Sequence, residues 1–237
     1  MPKRSRLQTQ MDTGGADTVT EATYVALRRA ILSLDLSPGA VLPISMLRRR
    51  FPFGPTPLRE ALARLSGEGL ATLSAQRGFR VAPMTTEDLA AIRTQCAQIE
   101  PMAIRAAVAA NAPAWRAGLV AAYAAFEPFD AMVGDTRNVD EVWERLHQRF
   151  HLALMAGCGS PTLLARIGAL YDMMNRYRRL AMPCLGYAAF YRMDHEELYH
   201  TALSGDADRA ATLLQGHLHT ASGQIASMFE AVPRLSH

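Results

Sequence analysis

From Thr20 to Leu36 the apolar residues Tyr24, Leu27, Ile31 and Leu34 recur at three- and four-residue intervals, the period of one helical face. Thr20 is placed to cap this helix, and Ser37-Pro38-Gly39 stops it. PISMLRRRF, ending at Phe51, reads as a short second helix with Met46, Leu47 and Phe51 turned inward, and FPFGP follows as a tight turn. A third helix begins at Thr56, with Pro57 at its first position, Glu60 closing a capping box and Leu58, Leu62 and Leu65 on its apolar face. The period then changes. LATLSAQRGFRVAP alternates about a polar tip, which predicts a β-hairpin ending at Pro83. From Thr85 on the chain is rich in Ala and Leu, and amphipathic helices are expected over 85–111, 114–126, 138–157, 161–181, 187–204 and 206–231. Short breaks at Pro113, Pro128, Gly157–Pro161, Pro183 and Gly205-Asp206 make these six an antiparallel bundle.

Charge adds an asymmetry to this picture. Residues 1–80 hold 12 Lys+Arg against 6 Asp+Glu, leaving 13 against 16 for residues 81–237. A basic first third joined to a mildly acidic remainder points to a polyanion as partner of the first part alone. Cys96, Cys158 and Cys184 are isolated thiols without C-x-x-C spacing, which argues for a reducing compartment and against a disulfide framework or a thiolate zinc site. No apolar run approaches the ~20 residues of a membrane span. The basic, polar N-terminus lacks the apolar core of a signal peptide, so a cytoplasmic location is expected. The organisation expected is a disordered arm over 1–17, a first domain over 18–83, a helical domain over 84–231 and a tail over 232–237.

Three short helices and a hairpin are the order of a winged helix-turn-helix, so the chain is expected to be mainly α, with that domain first and the all-α bundle second. The stretches LRRAIL, SPGAVLP, TPLREALARL, EGL and RGFRVAP stand in the order and spacing of the GntR family of bacterial transcription regulators, which the chain resembles here over about sixty residues. In such a motif the second helix enters the major groove with its N-terminal residues. Thr56 and Arg59 are therefore candidates for phosphate and base contacts, Arg48 and Arg49 for flanking the backbone, and Gln76, Arg77 and Gly78 for the wing tip. The family's usual serine and base-reading arginine before the helix are replaced by Gly54 and Pro55, and proline offers neither side-chain donor nor N–H. One specificity contact is thus missing, and the operator expected differs from the family's usual one.

HQRFH places His147 and His151 one helical turn apart on one face, within reach of a single metal ion. His195 and His217 flank the turn at Gly205-Asp206 at similar separations, ten residues before Gly205 and twelve after, so their rings should lie at one height on neighbouring helices. The helical part resembles the FCD ligand-sensing domain of the FadR branch at TTEDL, FHLALMAGCGSPTL, DHEELYHTALSGD and AATLLQGHL. That resemblance implies a divalent metal held by an Asp and three His. The histidines correspond to His151, His195 and His217, and His147 stands where the family has Asp. Four imidazoles suit Zn²⁺, Ni²⁺ or Cu²⁺ rather than Mg²⁺ or Ca²⁺, with Zn²⁺ or Ni²⁺ expected. His200 and His219 fit the pattern less well. Cys96 occupies the position of a family arginine four residues before Glu100, so Arg93, Arg145, Arg149 and Arg178 are the candidate anion ligands around it.

A metalloenzyme is the competing class. HEELYH has the wrong spacing for H-E-x-x-H, HQRFH lacks the glutamate that serves as base there, and no nucleotide fingerprint is present. A bundle that only dimerises, without metal, is the third. The expectation is a regulator, not an enzyme: a homodimeric repressor on double-stranded operator DNA, whose affinity is modulated by a small carboxylate at a metal in the bundle.

Overall fold

A computed structural model describes residues 6–74, 78–133, 141–181 and 190–231. The chain divides into two compact units, Met1–Met84 and Thr85–His237.

The first unit contains α1 (Arg6–Leu32), α2 (Ile44–Arg50), α3 (Pro55–Gly67) and an antiparallel hairpin of β1 (Ala71–Ser74) and β2 (Gly78–Val81). Ala71 pairs with Val81 and Ser74 with Gly78, and Val41 bridges to Arg80. Leu27, Ile31, Leu47, Leu58, Leu62 and Leu65 are fully buried and form its core, as the helical periods require.

Three local expectations are corrected. Thr20 does not cap α1, because the helix already starts at Arg6 and takes in most of the stretch expected to be a disordered arm. The Thr20 hydroxyl instead donates to Glu60 Oε2 of α3. Leu34 lies past the helix in a turn at φ 64°, and Leu36 supplies the buried apolar contact. Thr56 does not cap α3, and its box with Glu60 does not form: Gly54 is the N-cap and Pro55 the first helical residue. Proline needs no helical N–H at that position and its φ is already set for the helix, so α3 begins earlier than Thr56.

The second unit holds α4 (Thr86–Ala110), α5 (Pro113–Val133), α6 (Glu141–Met155) with a 3-10 turn at Ala156–Cys158, α7 (Pro161–Ala181), α8 (Phe190–Ser204) and α9 (Ala207–Ala231). Thr85 Oγ1 caps α4 by accepting from Asp88 N, and Tyr177 of α7 holds the same turn, donating to Asp88 Oδ2 at 2.9 Å. α4 packs along α9, with α6, α7 and α8 also in contact with α4. Ile104, Leu119, Phe126, Phe150, Leu154, Ile167 and Leu214 are at the centre of the core. Pro128, expected to end a helix, lies inside α5, which continues to Val133. That extra turn carries Asp130 into the core, where it is 5% exposed.

Candidate functional site

α6 turns His147 and His151 inward on successive turns, α8 brings in His195 and α9 brings in His217. Gly205, at φ 87°, makes the reversal between α8 and α9, a left-handed position that suits glycine. The His195 and His217 rings are 4.8 Å apart between centroids, so the two helices do present them at one height. Each of the four histidines offers one ring nitrogen, and these four atoms lie within 4.8 Å of one another. All four side chains are buried, from 0% to 6% exposed.

His151 Nε2 and His195 Nε2 are 3.4 Å apart. Two nitrogens bound to one tetrahedral ion at about 2.05 Å are separated by about 3.4 Å, so this pair has the spacing of a metal-bound pair. Burial, joined by the neighbouring imidazoles, pushes the pKa values of His147 and His151 well below the usual histidine value. Both rings are neutral at neutral pH and keep a lone pair for a metal. His147 Nε2 and His151 Nδ1 are buried without a hydrogen-bond partner, a cost that a ligated ion offsets at whichever of them it meets. The donor set fits a borderline transition-metal ion.

Around the rings stands a supporting layer. Asp130 Oδ2 is 2.9 Å from His195 Nδ1, which holds the proton of that ring on Nδ1 and leaves Nε2 for a metal. Trp143 stacks on His147 at 4.5 Å, and Phe126 meets His147 and His195 edge-on. Arg178 Nη1 donates to Glu144 Oε2 at 2.7 Å in a buried ion pair and approaches His147 Nδ1 at 3.4 Å. Burial raises the Glu144 pKa, and Arg178 opposes that rise.

A cavity of about 340 Å³ opens beside the cluster, with His147, His151 and His217 in its wall. Of the anion ligands expected from the sequence, Arg93 and Arg178 line it, as does Cys96. Arg145 and Arg149 do not: both project, exposed, from the outer side of α6. His219 is in the cavity wall without joining the cluster, and His200 is exposed. Sequence reasoning missed Asp130, hidden by the expected break at Pro128, and Tyr171, whose ring lies 5.4 Å from that of His151.

In the first unit Thr56 and Arg59 are exposed at the start of α3, and Arg48 and Arg49 are exposed on α2. Gly78 opens β2 at φ 69°. Gln76 and Arg77 lie outside the described residues.

Residues 19–81 match the model of the bacterial regulatory proteins of the gntR family, and residues 88–220 match the FCD domain. The chain belongs to the GntR family, with an FCD domain behind its helix-turn-helix. The HTH-type transcriptional repressor GlaR of Escherichia coli K12 is 33% identical over 201 residues, a match covering 83% of this chain and 91% of that one. BphR of Paraburkholderia xenovorans LB400, an uncharacterised HTH-type transcriptional regulator, is 31% identical over 204 residues, or 86% and 83% of the two chains. The fold is also that of a GntR regulator from Rhodococcus sp. RHA1, with a TM-score of 0.72 at 20% identity over 88% of this chain and 97% of that one. Escherichia coli McbR/YncC has the same TM-score, 0.72, at 21% identity over 89% and 98% of the chains. This GntR-family chain is thus a DNA-binding transcriptional regulator and not an enzyme. Among the described residues no helix is long and apolar enough to cross a membrane.

Proposed function

We propose that this regulator is a repressor that binds its operator as a homodimer and responds to a small organic acid at a metal held in the FCD domain. The observation that carries the reading is the placement of four buried imidazoles beside a cavity that Arg93 and Arg178 also line. Zn²⁺ or Ni²⁺ fits the donors. His151, His195 and His217 are the principal ligands, with His195 oriented by Asp130. His147 is the fourth and the weakest, because Arg178 faces its Nδ1 and favours the tautomer with the proton on Nε2.

Neutral ligands leave the +2 charge of the ion opposed only by Asp130 behind His195, and Arg93 adds a cation to the wall while Glu144 offsets Arg178, so an anionic group is the natural occupant of an open coordination position. When bound, the metal supplies a Lewis-acidic anchor for that group. The ligand then shifts the population of dimer arrangements on DNA, since a second state that binds it better is favoured by mass action. In the first unit Thr56 and Arg59 of α3, with Arg48 and Arg49 of α2, are the DNA-facing set, and Gln76, Arg77 and Gly78 are the further candidates for DNA contact.

Elemental analysis of tag-free protein tests the reading, comparing wild type with His151→Ala. Near-stoichiometric Zn or Ni in the wild type, lost in the variant, is expected. Wild-type protein that takes up neither metal after incubation with each would overturn it.

A further inference from the structure

One cavity group has no part in the metal reading. Glu100 lies on α4 one turn after Cys96, and its carboxyl group is completely buried in the cavity wall. Its Oε2 accepts from the Tyr171 hydroxyl at 2.9 Å, while Oε1 has no hydrogen-bond partner. Burial pushes its pKa up to about 7, against the opposing pull of the Cys96 thiol and the Tyr171 hydroxyl, and among the described residues no cationic side chain is paired with it. A buried carboxyl with one bare oxygen and no cation is expensive, and in a cavity wall the missing partner can arrive with a ligand. Its position relative to the cluster is defined by Tyr171, whose hydroxyl is on Glu100 and whose ring is beside His151. The cavity wall therefore carries two unlike kinds of group, the imidazoles with Arg93 and Arg178 and a buried carboxyl that none of these arginines pairs with, with apolar Met174, Leu218 and Ile225 beside them.

We propose that Glu100 is the specificity group of this cavity, accepting a hydrogen bond at Oε1 from an ammonium or hydroxyl group of the effector, so that the effector is a short amino- or hydroxycarboxylate. This rests on the reading of the cluster as a metal site that anchors a carboxylate. The ligand's carboxylate meets the metal held by the imidazoles and its donor meets Glu100. A plain alkanoate would leave Oε1 bare. A dicarboxylate would bring a second acid against a buried one, and the two would have to share a proton. Sites that pair with a ligand N–H or O–H discriminate against analogues lacking it, because their own polar group is then left unpaired.

The test uses full-length, Zn-loaded protein and isothermal titration with C3 to C5 alkanoates, their hydroxy and amino derivatives substituted at successive carbons, and the dicarboxylates of matching length. In the wild type the best donor-bearing ligand should bind at least about tenfold tighter than its parent alkanoate and dicarboxylate. Glu100→Leu should bring all of them within about threefold of one another. Glu100→Gln keeps an acceptor but cannot become an anion, so it should retain the preference for a hydroxyl and lose that for an ammonium group. These last two results separate the two kinds of donor. If Glu100→Leu does not fold, as judged by near-UV circular dichroism, the wild-type series and Glu100→Gln decide. Equal wild-type affinity for alkanoate, dicarboxylate and donor-bearing ligands overturns the inference and leaves the carboxylate reading standing. A preference that persists unchanged in the Glu100 variants also overturns it. Failure of every carboxylate to bind the Zn-loaded wild type overturns both.

Discussion

Asp130 and Glu100 are two buried carboxyl groups with opposite consequences. Asp130 has a histidine to orient; Glu100 has only a tyrosine hydroxyl and a thiol. Partners that fix the far nitrogen of a metal-bound histidine typically contribute 10- to 100-fold in affinity. Asp130→Ala should accordingly weaken Zn²⁺ binding by about that factor, read by competition with a chromogenic chelator, with the helical content unchanged. Glu100 gives a pH signature. Its pKa is about 7 in the fold, against 4.5 for an ordinary glutamate, so the native state holds the proton that the unfolded state has lost. Its contribution is fully present below the unfolded value and is lost as pH rises through the folded one. Relative to Glu100→Gln, the wild type should lose about 3 kcal/mol of stability between about pH 4.5 and about pH 8, measured by urea unfolding at each pH. A constant difference between the two proteins would contradict this. The histidines were legible in sequence because the resemblance to the FCD domain singles out His151, His195 and His217, and helix geometry, an i, i+4 pair with His147 and two positions flanking one turn, agrees with it. Asp130 was not, because its value comes from meeting a residue 65 positions away.

At the level of elements, periodicity identified the six α-helices described in the second unit, and the errors fall mainly at prolines and caps. The cost of Pro128 inside α5 is one helical hydrogen bond and local crowding, and the burial of Phe126 with the pairing of Asp130 to His195 and Trp143 offsets it. At α3 two prolines and a glycine competed for the first turn, and the difference between starting at Pro55 or Thr56 is too small for pattern alone to decide. The most demanding packing at an element end is at Gly157, in the turn after α6. A Cβ there would come within 3.0 Å of Trp115 Cγ and 3.3 Å of Ala107 Cα. Trp115 is itself fixed, its Nε1 donating to Ala153 O at 3.0 Å at the end of the helix that carries His147 and His151. Gly157→Ala should therefore destabilise the protein by about 1–3 kcal/mol in urea unfolding, through overpacking. Any stabilisation from the added helix propensity would show that Trp115 can yield.

The whole molecule separates its chemistry by unit: the exposed arginines of α2 and α3 belong to Met1–Met84, the imidazole cluster and its cavity to Thr85–His237. Two variants should therefore act independently. Arg59→Ala should weaken operator binding and lower the slope of log affinity against log salt by about one, if Arg59 meets a phosphate, with metal content unchanged. Zn²⁺ should stabilise the wild type to heat, by about 2.7 kcal/mol at a hundred times the dissociation constant, and His151→Ala should abolish that stabilisation. Both are read by fluorescence anisotropy on operator DNA and by thermal melts with and without Zn²⁺. The order of elements, the family and the four histidines can be read along the chain, because they follow from local periodicity and from motifs in contiguous stretches. Which arginines reach the cavity, the contact of Asp130 with His195, and the burial of Glu100 with one oxygen unpaired emerge only once the helices are packed. Burial and pairing across distant segments depend on how helices pack, and no local pattern encodes the partner.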